Sequence, residues 1–277
     1  MPSSQRHDSL QYGGEDLCAA SLFLQKVVPG GAADGRSARV PLLAGMRATA
    51  RLLTSLPKLH VSLSDSPAGE RLHSHFSHRI CGIRHARLAQ GVLVLPEEEG
   101  LYVRGRSRRA LRTGINKARA AGITCRPLDE VDERRAAAWS LRARVPGMWE
   151  RADGLLCLPG DAWWAAFAPD GEPVTIAHMA VDRELALLQT FVSTDRASRY
   201  LLHTELVERL ARANVRYLAV DGPMAPMLES TLQYWQHLLG YQVFNLALSR
   251  TPLPAEDTQL AGDGDASAVL SALARAS

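Results

Sequence analysis

Residues 194–248 read TDRASRYLLHTELVERLARANVRYLAVDGPMAPMLESTLQYWQHLLGYQVFNLAL, and this stretch decides the fold. Thr194 and Asp195 offer side-chain oxygens to the backbone N–H groups that the first turn of a helix leaves unpaired. Leu202, Leu206, Leu210 and Ala213 then recur at helical spacing, and Asn214 suits the left-handed stop. Residues 215–220 are too few and too apolar for another helix and read as a buried strand. Pro226 can open a second helix without losing a needed N–H, Leu228, Leu232, Trp235 and Leu239 share one face, and Gly240 ends it. Residues 241–248 form the closing strand.

Working outward, three apolar segments precede this unit at 162–168, 173–181 and 185–193. The turns between them, Pro169-Asp170-Gly171 and Asp182-Arg183-Glu184, are short enough for antiparallel hairpins. Further upstream lie a strand at 123–127, a helix at 132–143 and a long loop at 144–161. From residue 123 the order is therefore strand, helix, three strands, helix, strand, helix, strand. That order predicts an α/β (α+β) fold with a mixed, mostly antiparallel central sheet flanked by helices, not a doubly wound parallel sheet. Helices at 17–28 and 42–53, a strand at 58–63, a weakly patterned helix at 68–77 and strands at 80–87 and 91–95 complete the reading. The expected division is an N-terminal helical or flexible segment at 1–57, one domain at 58–250 and a flexible tail at 251–277.

With 46% hydrophobic and 22% charged residues, the 277-residue chain is ordinary for a globular protein, which excludes disorder throughout. No run reaches the roughly 18 apolar residues of a membrane helix; the richest, 154–168, is cut by Pro159 and Asp161. The first residues lack a basic end leading into an apolar core, and Cys18, Cys81, Cys125 and Cys157 form no CxxC pair. A cytoplasmic protein with reduced thiols is the expectation. The net charge of +3 does not by itself imply nucleic acid. Charge is concentrated in LYVRGRSRRALRTGINKARAAGITCRP, residues 101–127, which hold eight Arg or Lys and no acid. Ser107 can cap a helix there, Leu111, Ile115 and Ala118 line its apolar side, and Gly122 stops it.

This order resembles the GNAT acyltransferase fold, and the residue pattern is closest to its Fem-like branch, the aminoacyltransferases that build peptidoglycan cross-bridges. SRRALRTGINKARAAGITCRPL resembles the family's basic helix and following strand, WWAAFAPDGEPVTIAHMAVDRELALLQTFVSTD its central hairpin, YLLHTELVERLARANVRYLAVDGP its helix and strand ending in Asp-Gly, and LQYWQHLLGYQV its closing helix and strand. The resemblance implies an N-acyltransferase that moves an acyl or aminoacyl group directly, without a covalent enzyme intermediate, from acyl-CoA or aminoacyl-tRNA to an amine of a small molecule or peptide. Two places depart from the pattern. The Arg/Gln-x-x-Gly-x-Gly/Ala loop that grips coenzyme A is here Thr194-Asp195-Arg196-Ala197-Ser198-Arg199-Tyr200, with no glycine to let backbone N–H groups approach a phosphate. The tyrosine five residues before the aromatic of Gly-Tyr is here Gln236, and Tyr234 is the nearest alternative.

Acyl transfer to an amine needs a donor groove, a hydrogen bond to the carbonyl oxygen and a route for the amine's proton. The resemblance places the groove where 185–193 and 215–220 splay as parallel neighbours. Asp221 could then orient or deprotonate the amine, although Asp-Gly also reads as a simple turn. His178 could act as a base or pack as a satisfied strand residue, and Tyr234 could protonate the leaving group. Gln189, on the face of Leu187 and Phe191, could position the donor; Arg196, Arg199 and Tyr200 would meet its phosphates. The acid-free helix, through Arg108, Arg109, Arg112 and Lys117, suits coenzyme A phosphates or a tRNA acceptor stem. Trp149, Trp163 and Trp164 could wall an acyl pocket or fill a core. His73, His75, His78 and His85 with Cys81 invite a metal reading, but HxHxxH lacks the i, i+4 pairing of a helical zinc motif and no second cluster completes it, so no metal is expected. A second class of function fits the same residues: a catalytically degenerate GNAT module binding an anionic partner such as RNA or a nucleotide.

Overall fold

The computed structural model describes residues 54–77, 90–98, 100–145, 161–223 and 238–250, together with residues 47, 50, 87, 235 and 236. Its elements run β1 (Lys58–Leu63), α1 (Pro67–Ser77), β2 (Gln90–Val94), α2 (Arg109–Ala120), β3 (Thr124–Pro127), α3 (Val131–Arg144), β4 (Asp161–Phe167), β5 (Pro173–Asp182), β6 (Leu185–Ser193), α4 (Arg196–Arg212), β7 (Tyr217–Pro223) and β8 (Gln242–Arg250). The strands form one 8-stranded sheet in the order β1-β8-β2-β7-β6-β5-β4-β3. Among the described residues, only β1–β8 and β6–β7 pair in parallel. The other neighbours are antiparallel, so the fold class expected from the element order is the one observed.

Alternation along the strands sorts side chains onto two faces. Trp164, Ala177, Met179 and Leu188 face α2 and α4, where they meet Leu111, Ile115, Leu202, Leu206 and Leu210. On the other face, Leu63, Leu187 and Ala219 pack against Leu72 and Phe76 of α1. Trp163, Ile176 and Val192 pack against Ala137, Ala138 and Leu141 of α3. Each of these large side chains contributes about 1.5–3 kcal/mol of hydrophobic stabilisation when fully buried. Close helix packing needs a small residue at one point. A Cβ on Gly114 of α2 would overlap the Tyr200 ring of α4.

The helix ends follow from side-chain chemistry. Ser66 caps α1 by accepting the Gly69 N–H at 3.0 Å, and Asp182 at the end of β5 accepts the Ser64 N–H at 2.7 Å and the Ser66 hydroxyl at 3.0 Å. Asp195 caps α4 through the Ser198 N–H at 2.7 Å, and Asn214 stops that helix at φ 60. Ser107 does not cap the basic helix. Arg106–Arg108 make a 3-10 turn, and α2 starts without a side-chain cap; Arg112 instead donates to the carbonyls of Val103 and Gly105, both at 2.7 Å. The strand expected at 215–220 is shifted to Tyr217–Pro223, because β2 pairs as far as Pro223. Residues 235, 236, 238 and 239 are helical, as expected of the closing helix, and the helix expected at 17–28 lies outside the described residues. No helix is long and apolar enough to cross a membrane among the described residues.

Candidate functional site

The parallel pairing of β6 with β7 runs from Leu185↔Tyr217 to Leu188↔Val220 and stops there, although both strands continue. Each strand bulges at that level. In β6, His178↔Thr190 is followed by Met179↔Leu188, which leaves Gln189 as an extra residue. In β7, Val92↔Ala219 is followed by Gln90↔Pro223, so residues 220–222 stand against Gly91 alone. A bulge bends its strand and increases the local twist, and two at one level part the neighbours. Gln90 donates its side-chain amide to the Val220 carbonyl, anchoring β7 on the β2 side. The bulge also changes which face each β6 residue takes. Leu187 packs under α1 whereas Phe191 packs toward α4, so the expectation that Leu187, Gln189 and Phe191 share a face is corrected. The Gln189 Oε1 is buried and has no hydrogen-bond partner among the described residues. A buried acceptor without a partner calls for a physical explanation.

The expected donor-side residues converge on the first turn of α4. Arg196 reaches the Tyr200 hydroxyl at 3.2 Å, and Tyr200 is buried. The Arg199 guanidinium lies 5.8 Å from the Trp235 ring centroid; burial lowers its pKa, and Tyr200 offsets part of that. The helix head is not open. Besides the Asp195 carboxylate on Ser198, the Thr175 hydroxyl lies 2.7 Å from both the Ser193 and Ser198 hydroxyls. A carboxylate here opposes a bound phosphate, so positive charge must come from side chains.

The basic helix divides in two. Arg108 donates to the Leu238 carbonyl at 2.7 Å, lies over the Tyr102 ring and fills the space beside Gly240, whose φ is +83. Arg112 ties down 103–105, as above. Arg109 and Lys117 are exposed, with no ion-pair partner among the described residues, and stand two turns apart along α2. They are available to an anion. Arg108 and Arg112 are occupied in holding the fold.

The described histidines have contrasting settings. His178 is fully buried, with Nε2 at 2.8 Å from Asp161 Oδ2 and its ring stacked on Trp163 at 4.2 Å; Arg71 holds the other Asp161 oxygen at 2.6 Å. Its Nδ1 has no partner among the described residues. His203, inside the α4 face, lies 3.2 Å from the Tyr102 hydroxyl and 3.0 Å from that of Tyr241, with Phe191 and Trp235 around it. Burial, and secondarily the charge of Arg108, pushes its pKa down to about 3. His75 on α1 is partly exposed and places Nε2 3.6 Å from Asp221 Oδ1 on β7. Asp221 therefore lies one residue beyond the last β6–β7 pair, inside a strand and not in a turn. Trp163 and Trp164 face opposite sides of the sheet, so they cannot wall one acyl pocket together. Tyr234 and Trp149 lie outside the described residues, as do His78, Cys81 and His85.

His203 makes a prediction about pH. Between its lowered pKa and its unfolded value near 6.5, the unfolded chain takes up a proton that the folded protein refuses. Stability is therefore fully present above about pH 6.5 and falls by up to about 1.4 kcal/mol per pH unit as the solution is acidified toward pH 3. Urea unfolding at pH 5 and pH 7 should show this loss in the wild type, and a smaller one in His203→Gln. Equal losses would contradict it.

Sequence reading missed Asp161, Arg71, Tyr102, His203 and Tyr241. Asp161 closes the loop at 144–161 and carried no motif, yet the β4–β5 hairpin register brings it onto the face of His178.

No family model matches this chain, and no curated protein matches it. Solved structures do resemble it. The C-terminal domain (DUF2156) assigned to a lysylphosphatidylglycerol synthetase from Agrobacterium fabrum matches with a TM-score of 0.41 at 15% identity, over 56% of this chain and 58% of that one. L-PGS from Bacillus licheniformis matches with a TM-score of 0.43 at 12% identity, over 63% of each chain. A GCN5-related N-acetyltransferase from Kribbella flavida matches with a TM-score of 0.32 at 12% identity, over 56% of this chain and 53% of that one. The chain thus spans less than two thirds of the length of each of these proteins.

Proposed function

We propose that this chain is an N-acyltransferase of GNAT type whose donor arm lies in the parting between β6 and β7. The observation that carries this reading is the pair of bulges at Gln189 and 220–222, which end the parallel pairing at Leu188↔Val220. Beyond that point the 189–193 backbone has no β7 partner, and an extended amide-bearing arm can pair with it as an added strand would. Gln189 offers its side-chain amide at the same level. Arg196 and Arg199, supplemented by Arg109 and Lys117 on α2, supply the charge that the Asp195 cap takes away. The arm is that of an acyl-CoA or of an aminoacyl-tRNA, and the acceptor amine enters beside Asp221. Attack is direct, the C–N bond forming as the C–S or C–O bond to the carrier breaks. Sequence pattern alone brings in the Fem-like branch, and with it the tRNA donor.

A second reading has its own support. The capped head of α4 disfavours a phosphate-bearing donor there, while the exposed Arg109 and Lys117 suit a module that binds an anionic partner without turnover. A donor screen separates the two. Acyl-CoA thioesters and aminoacylated tRNA are each mixed with the protein, the thermal midpoint is recorded, and amide products from an amine panel are sought by mass spectrometry. The acyltransferase reading expects a raised midpoint with one donor class and amide formation. Salt-sensitive RNA binding without product would favour the binding module, and no binding to either donor would refute the acyltransferase.

A further inference from the structure

Three polar groups near the open edge of β6 have no hydrogen-bond partner among the described residues, and they differ in kind. Gln189 leaves a buried carbonyl oxygen, Oε1, which only accepts. Trp235 leaves a buried indole N–H, which only donates; the residue is 6% exposed, and its ring meets that of Phe191 at 5.4 Å between centroids. Arg199 leaves a buried Nε–H, and its guanidinium, 5.8 Å from the Trp235 ring centroid, has no ion-pair partner among the described residues. Phe191 lies two residues past Gln189, about 7 Å along an extended strand. An acceptor, a donor and a cation therefore gather along 189–193. An amide answers the first two with its N–H and C=O, and a phosphate answers the third. A phosphopantetheine arm carries amides and then one phosphate, whereas a nucleotide strand has no amide in its backbone and brings a phosphate with each residue.

The surroundings narrow the carrier of that arm. Asp195 already takes the Ser198 N–H at 2.7 Å and leaves a negative charge at the head of α4, where the diphosphate of coenzyme A would need free N–H donors. Next to this head, α2 packs directly on α4, with Gly114 against the Tyr200 ring. Arg104, Arg106, Arg109 and Lys117, on α2 and just before it, are exposed and have no ion-pair partner among the described residues. Such a basic surface is complementary to an acidic protein.

We infer that the donor is an acyl thioester on the phosphopantetheine arm of an acidic carrier protein, which docks on the basic face of α2 and lays its arm along 189–193. The inference rests on the acyltransferase reading and names how the arm is presented. Coenzyme A bears the same arm and serves as a poorer substitute. Gln189 Oε1 accepts an arm N–H, the Trp235 indole donates to an arm carbonyl, and Arg199 pairs with the phosphodiester. In the transfer, the amine nitrogen forms the C–N bond as the C–S bond breaks. The proton lost by the amine ends on the released sulfur, so the carrier leaves with a free thiol.

The test presents acetyl, octanoyl and glycyl thioesters on a bacterial acyl carrier protein and on coenzyme A, and glycine as its tRNA ester, with lysine, ethanolamine and spermidine as acceptors. At about 50 mM salt the carrier thioester should exceed that of coenzyme A by at least about 10-fold in kcat/KM, and the advantage should vanish near about 0.5 M salt, where exposed charges are screened. Arg109→Glu combined with Lys117→Glu should lose at least about 10-fold more on the carrier than on coenzyme A, by reversing the complementary charge. Trp235→Phe keeps a ring but removes the N–H, and should lower kcat/KM on both thioesters by about 10-fold, the scale of one buried hydrogen bond. Circular dichroism and thermal midpoints check that the variants fold. Coenzyme A used as well as the carrier, an advantage that neither salt nor charge reversal reduces, unchanged turnover in Trp235→Phe, or transfer from tRNA alone each overturns the inference and leaves the acyltransferase standing. Absence of transfer from every donor overturns both.

Discussion

Deleting Gln189 should leave the protein folded and reduce donor turnover by at least about 100-fold, the scale of a misplacement of about 1 Å at a reacting centre. The reason lies in the register. On either side of the bulge, β5 and β6 already pair as His178↔Thr190 and Met179↔Leu188, so removal of the extra residue joins two ladders that are in phase. An unbulged β6 would lose one of the two bulges that part it from β7, and the opening after Leu188↔Val220 would narrow. The deletion removes a buried acceptor with no partner among the described residues, so its cost in stability should be small. Circular dichroism and thermal midpoints check the fold, and kcat/KM with the donor identified by the screen checks the groove. Undiminished turnover would show that the bulge does not make the donor site.

The largest effect on stability should come from Asp161→Ala, at about 3–5 kcal/mol, the usual loss when one partner of a buried ion pair is removed. Asp161 is 2% exposed and holds Arg71 with one oxygen and His178 with the other. Its removal leaves the His178 Nε2 without its carboxylate inside the sheet, next to an Nδ1 that already lacks a partner among the described residues. It also frees α1 from β4, because the 2.6 Å bond from Arg71 joins them. Replacing His178 by Phe alongside Asp161→Ala should recover part of the loss, since an apolar ring on Trp163 needs no carboxylate. Urea midpoints with unchanged m-values would measure both variants. A loss below about 1 kcal/mol for Asp161→Ala would show that the pair is not a structural anchor.

The architecture was largely legible because its signals are local. The hairpin turns at 169–171 and 182–184, the Asp195 cap and Asn214 each act within a few residues, and the structure uses them as read. The fold class followed from element order. What eluded the sequence is non-local. The bulge at Gln189 lies just past the last β6–β7 pair, inside a strand still paired with β5, and strict alternation cannot reveal it. The opposite faces of Trp163 and Trp164 are a consequence of the period of two, but using that period requires knowing which face holds which helix. Pairings such as Arg71 with Asp161 and His75 with Asp221 join residues from distant parts of the chain, and no spacing rule connects them. The spacing of the basic helix suggests one charged surface. Its Arg108 and Arg112 turned out to bind backbone carbonyls, an outcome set by the loops around them and not by the helix itself.

Amide hydrogen exchange, resolved residue by residue with and without the donor found in the screen, tests the central claim most directly. A donor arm pairing with the free edge should slow exchange at residues 189–193, with a weaker effect at 221–222, and leave the outer strands β1 and β3 unchanged. Slowed exchange confined to the exposed face of α2, with residues 189–193 unaffected, would contradict the account and place the anion on the basic helix alone.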